Sequence, residues 1–127
     1  MSYGPDRLIA ELQGLGFTVE KVVINESTIF AVIPDYEVLA GKFIERAIGL
    51  GIQATADFPR SVHSAIHVRA DPQLYETTDT VPNVRNITAS VLGNEWRYWS
   101  KNFNWNNEGE KTARRLMTKI TTAFEHA

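Results

Sequence analysis

Cysteine is absent from the 127 residues. That one absence removes disulfides, cysteine-ligated zinc, CxxC redox chemistry and every thioester or thiol-nucleophile mechanism, and it fits a reducing compartment. Neither charge is in excess: 13 Lys and Arg against 15 Asp and Glu leave a formal net charge of −2. No whole-domain basic field therefore draws the chain to nucleic acid or to an anionic membrane. Long apolar runs are missing too, since a stretch such as Ile29–Ile33 is far shorter than a bilayer span. The start, Met1-Ser2-Tyr3-Gly4-Pro5-Asp6-Arg7, has no basic stretch leading into an apolar one. No signal peptide is read, and a soluble cytoplasmic protein is expected. The sequons Asn25-Glu26-Ser27 and Asn86-Ile87-Thr88 then carry no weight. With no repeat, linker or low-complexity tract, and with 43% hydrophobic and 22% charged residues, residues 1–127 are expected to form one globular domain with its own core.

What is present reads as alternating helix and strand signals. Pro5-Asp6 opens a helix whose apolar positions Leu8, Ile9, Leu12 and Leu15 fall at helical spacing, and Gly14 and Gly16 close it. Phe17–Ile24 and Thr28–Ile33 are β-branched runs around the turn-like Asn25-Glu26-Ser27, which predicts an antiparallel hairpin. Pro34-Asp35-Tyr36-Glu37 reads as the start of a loop, with a third strand over Phe43–Thr55 stopped by Asp57-Phe58-Pro59. Ser64–Arg69 alternates and predicts a fourth strand, and Asp71–Val84 reads as irregular loop. In the aromatic stretch Trp96–Trp105, the spacing of Trp96, Trp99 and Phe103 fits one helical face. Ala113, Leu116, Met117, Ile120 and Phe124 mark the apolar face of a last helix, with Glu108 and Glu110 at its start, where the helix dipole favours acids. The order is helix, four-stranded antiparallel meander, long loop, aromatic segment and helix: an α+β domain.

Local motifs for chemistry are few. His63 and His67 have HxxxH spacing, but four residues along a strand span roughly 13 Å, too far for one ion. No metal or cofactor is expected. The carboxylates show no acid–base spacing, a G-x-S-x-G elbow is missing, and Gly14-Leu15-Gly16 is no phosphate loop. Lys111, Arg114, Arg115 and Lys119 form a basic stripe that suits either a solvated helix face or phosphate contact beside the tryptophans. The near-neutral charge favours the solvated face.

The run Ile33-Pro34-Asp35-Tyr36-Glu37, Gly41-Lys42-Phe43, Ala56-Asp57-Phe58-Pro59 and Ala65-Ile66-His67-Val68 resembles the ubiquitin-conjugating (UBC) superfamily. That superfamily carries a Tyr-Glu-Gly-Gly-x-Phe-like loop, an apolar strand ending in Tyr-Pro, and a strand leading to a His-Pro-Asn turn. Val81-Pro82-Asn83 stands at the turn, with valine where the family has histidine. Trp96-Arg97-Tyr98-Trp99-Ser100-Lys101-Asn102-Phe103-Asn104-Trp105 is similar to the block of prokaryotic family E, with Lys-Asn in place of Arg-His. The likeness runs from Tyr36 to Phe124, while the first helix and hairpin fit by order.

The resemblance implies a UBC-like fold and a bacterial ubiquitin-like conjugation setting. A ubiquitin-like protein, an activating enzyme and a JAMM-type isopeptidase are the implied partners, some such gene sets serving antiphage defence. In active members a cysteine after the His-Pro-Asn turn carries the modifier. Here the equivalent place falls at Ser90-Val91, and Asn83 is left as a turn residue. The expectation is a non-catalytic binding relative, docking through Tyr36–Gly41, the Phe58-Pro59 corner, or exposed members of Trp96, Trp99 and Trp105. The alternatives are a transferase using Ser90 as an oxyester nucleophile, an active enzyme whose cysteine was replaced by engineering at Ser90 or Ala89, and a nucleic-acid module on the basic last helix.

Overall fold

The structure, a computed structural model, describes residues 3–81, 84–105 and 111–127. Helix α1 covers Pro5–Gly14, with proline and Asp6 in the first turn, where a missing N–H and a negative charge both suit the helix. Six strands follow: β1 Glu20–Asn25, β2 Thr28–Glu37, β3 Ala47–Ala54, β4 Ala65–Arg69, β5 Asn86–Ser90 and β6 Gly93–Ser100; helix α2, Ala113–His126, comes last. The sheet order is β1-β2-β3-β4-β6-β5, with every neighbouring pair antiparallel. The four-stranded meander is thus present as β1–β4, and a hairpin, β5–β6, extends it to six strands.

The aromatic segment accounts for most of the difference from the sequence reading. It is strand β6, not a helical face, through Ser100. Successive residues of a strand point to opposite faces, so Trp96 and Trp99, three apart, part company. Trp99 joins the large core, while Trp96 packs with Phe30 and Val32 in a second cluster. The Pro34–Glu37 stretch is also strand rather than loop. A bulge between Ile33 and Tyr36 absorbs Pro34, whose missing N–H is harmless where the ladder slips. The extra residue also flips the parity, so that Tyr36 lands on the same face as Ile33, in the large core. β3 begins at Ala47, because Val38–Arg46 forms a tight loop closed by Val38 N–H to the Arg46 carbonyl and Glu45 N–H to the Val38 carbonyl, each 2.9 Å.

Both helices lie on one face of the sheet. Leu8 and Leu12 of α1 and Leu116, Ile120 and Phe124 of α2 share a core with Ala31, Leu50, Ile66 and Trp99. Thr112 caps α2, its hydroxyl accepting from Arg115 N–H at 3.3 Å, and Glu11 of α1 accepts from Ala113 N–H at 2.8 Å. These two groups hold the helix start; Glu108 and Glu110 lie outside the described residues.

Candidate functional site

The site where the sequence comparison places the family cysteine is the tip of the β5–β6 hairpin. Ser90 ends β5 opposite Gly93, just after a register slip at Ala89, and Gly93 takes a φ of 134° that side chains rarely adopt. The tip sits on the sheet face away from the helices. Leu92 packs onto Gly51 of β3 so closely that a Cβ there would come within 2.8 Å of its Cδ1 and 3.3 Å of the Trp96 ring. Beside this contact, Ser90 Oγ accepts from Leu92 N–H at 3.1 Å and lies 2.7 Å from His67 Nδ1.

His67 belongs to β4 and is buried. The edges of Phe30 and Tyr98 meet its ring at centroid distances of 4.7 and 5.2 Å. Burial in this aromatic setting, with the His63 charge adding to it, pushes the His67 pKa down to about 4. The imidazole is therefore neutral at neutral pH. Ser90 Oγ accepts from Leu92 N–H and keeps one O–H and a second lone pair for Nδ1, so the direction of that hydrogen bond follows the His67 tautomer.

This pair brings a hydroxyl and an imidazole together, as acyl transfer requires, yet it lacks the other parts. A general base works best with a pKa near the operating pH, and a value of about 4 makes His67 a poor acceptor for a serine proton. Among the described residues, the ion pairs leave no carboxylate on the His67 ring to support an imidazolium. Nor do three His, Asp or Glu side chains gather into a metal site among those residues. A cleft of about 740 Å³ opens at another part of the sheet, by Asp35, Gly49, Arg69 and Glu95, and includes neither Ser90 nor His67.

The remaining sequence candidates go elsewhere. Tyr36, Phe58, Trp96, Trp99 and Trp105 are between 1 and 7% exposed, and Pro59 is also buried. None of the three tryptophans is an exposed member, and the side chains of Tyr36 and of the Phe58-Pro59 corner face inward. Tyr36 stacks on Phe124 at 6.3 Å, and burial raises its phenol above the ordinary range. Trp99 lies 5.5 Å from both Tyr75 and Phe124. Trp105 donates its indole N–H to the Pro59 carbonyl at 2.7 Å, so it and the Phe58-Pro59 corner form one internal joint. Arg115 closes that joint, 4.9 Å over the Trp105 ring and 3.1 Å from its carbonyl, which withdraws it from the basic stripe. Asn83 lies outside the described residues. Leu39 in the Tyr36–Gly41 loop and Val91 at the hairpin tip, both within stretches that the sequence reading singles out, are left in water, and so are Ile44 of the β2–β3 loop and Val23 and Ile24 of β1, which it passed over. Their signal was present, as isolated large aliphatics inside turn-rich segments.

The helix-flanked antiparallel sheet, with its loop and hairpin after β4, is that of a UBC-like α+β domain. Over residues 5–127 the chain matches the model described as Prokaryotic E2 family E, and it belongs to that family. It is an E2-like protein of prokaryotic conjugation systems that lacks the cysteine of active conjugating enzymes. Nothing matches it among the curated proteins or the solved structures. Membership ties the chain to the proteins of a ubiquitin-like modifier pathway, and no described helix is long and apolar enough to cross a membrane.

Proposed function

We propose that the chain is a non-catalytic, variant-type member of its family, which binds a ubiquitin-like modifier, or the modifier's activating enzyme or JAMM-type isopeptidase, without carrying the modifier covalently. The observation that supports this most is the fate of the cysteine position. Ser90 there is used structurally, its oxygen accepting from Leu92 N–H and its hydroxyl held against a histidine whose basicity burial has removed. A serine needs an activated base to attack an acyl group, and this one has a weak base in contact.

Docking is assigned to the β2–β3 loop, which lies in the stretch the family resemblance singles out. Leu39 is 58% and Ile44 54% exposed, and they stand on either side of the loop's Val38–Glu45 closure. Two exposed aliphatics on a short, hydrogen-bonded loop, each next to one of its closing residues, offer a partner apolar contacts at little ordering cost. Alanine at both positions is expected to weaken binding of the co-encoded modifier or its enzymes about tenfold or more, with unfolding free energy within ~0.5 kcal/mol of wild type. Isothermal titration against each partner checks this. Unchanged affinity for all of them would remove the loop from the interface.

A further inference from the structure

The sheet face away from the helices also holds buried side chains. His67 is 3% exposed, and Phe30, Val32 and Trp96 on the same face are buried as well. Part of their cover is the tip of the β5–β6 hairpin. Its two turn residues divide: Val91 stands in water, whereas Leu92 packs against the Phe30 cluster and fills the space that a Cβ on Gly51 would need. The hold of this tip on the sheet is slight. The backbone of β5 pairs with β6 alone, and the register slips between Ala89 and Ser90. Beyond the slip, the polar tie to the sheet is Ser90 Oγ on His67 Nδ1 at 2.7 Å. On the far side stands Gly93, with the φ of 134° that only glycine adopts freely. A slip and a glycine thus bracket a turn seated by one leucine and one hydroxyl. Segments with so few buried contacts are the ones that open below global unfolding.

His67 supplies a reason to open. Its surroundings offer a positive charge nothing. Phe30 of β2, Gly51 of β3, and Ser90 and Leu92 of the tip carry no charge. Tyr98 of β6 meets the ring with its phenol side chain, and Arg69, on the same face of β4, lies 5.0 Å over the Trp96 ring. The charge that acts on His67 is that of His63, which opposes a second proton. The hydrogen bond to Ser90 is not the obstacle, because Oγ has lone pairs for both Leu92 N–H and an Nδ1–H. What opposes protonation is loss of water from the charged ring, and a raised tip restores that water. We propose that Ser90–Gly93 is a flap that opens when His67 takes up a proton, Leu92 leaving its seat on Gly51 as water reaches the imidazole. The open form holds the proton more tightly than the closed one, so acid shifts the flap towards open. By the same linkage, whatever lifts the flap strengthens proton binding at His67.

Hydrogen exchange of the full chain at pH 7 and pH 4.5, corrected for intrinsic amide rates, tests this at Leu92 N–H, the amide that Ser90 Oγ accepts from. The open fraction there is expected to rise about tenfold or more at the lower pH, towards a ceiling of roughly fiftyfold set by proton uptake near about 4 closed and near 6.5 open. The amides of β3 and β4 are expected to stay better protected than Leu92 at both pH values. In His67→Gln, which takes up no proton, the rise is expected to vanish. Leu92→Ala empties the seat on Gly51 and is expected to move the His67 midpoint, read by NMR, up by about half a pH unit or more. That variant keeps the proposal testable if His67→Gln does not fold. Equal opening of the wild-type tip at the two pH values overturns the proposal, as does a rise that persists in His67→Gln. So does a His67 midpoint that Leu92→Ala leaves in place, or a tip amide that exchanges only together with those of β3 and β4.

Discussion

His67 carries the chemistry that decides how Ser90 is read, and its titration is measurable. An unfolded histidine takes up its proton near pH 6.5, whereas in the fold His67 does so only near about 4. Between those values the unfolded chain holds the extra proton. This group's contribution to stability is thus complete above the unfolded value and is lost as the pH falls from about 6.5 towards 4, by at most roughly 3 kcal/mol. Urea unfolding at pH 7 and pH 4.5 is expected to show a larger loss in wild type than in His67→Gln, the difference isolating this residue from the carboxylates that titrate in the same range. An imidazole midpoint near 6.5 by NMR would instead make His67 an ordinary base and return Ser90 to the list of candidate nucleophiles.

At the scale of elements, the β2–β3 loop earns its rigidity from one glycine. Gly41 has a φ of 85°, and a Cβ there would collide with the Phe124 carbonyl at the end of α2. Gly41→Ala is therefore expected to destabilise the fold by about 2 kcal/mol or more, since both the backbone conformation and the approach to α2 are lost. Thermal unfolding checks this, and a wild-type midpoint would mean that the loop does not seat on the helix. The same scale explains what was legible. α1 and α2 each bury one stripe and leave the other side wet, so their 3.6-residue period survives in the sequence. β6 is packed on both faces, Trp99 among the helices and Trp96 against Phe30 and Val32. Burial on both sides erases the alternation that marks a strand, and the tryptophan spacing then imitates a helix. β5 buries Ile87 alone and offers no period at all. The position of Ser90 could be counted from Asn83, but its contact with His67 joins residues from two strands separated by β6 and follows from sheet order alone.

For the whole molecule, the buried aromatics and the exposed aliphatics exchange the roles that composition suggests. Large aromatic rings are the usual interface anchors, but here Tyr36, Phe58, Trp96, Trp99 and Trp105 build the interior of a small domain. Among the described residues, the exposed large hydrophobics are Tyr3, Val23 and Ile24 of β1, Leu39 and Ile44 of the β2–β3 loop, and Val91 at the hairpin tip. On the proposed function, an E2-like frame that keeps its architecture and lacks the thiol holds a modifier or its enzymes in place and does not pass an acyl group. The most direct test is intact-mass spectrometry of the chain after incubation with the co-encoded activating enzyme, ubiquitin-like modifier and ATP. The expected result is an unchanged mass in wild type and in Ser90→Ala alike. A hydroxide-labile adduct of one modifier, present in wild type and lost in Ser90→Ala, would contradict the account.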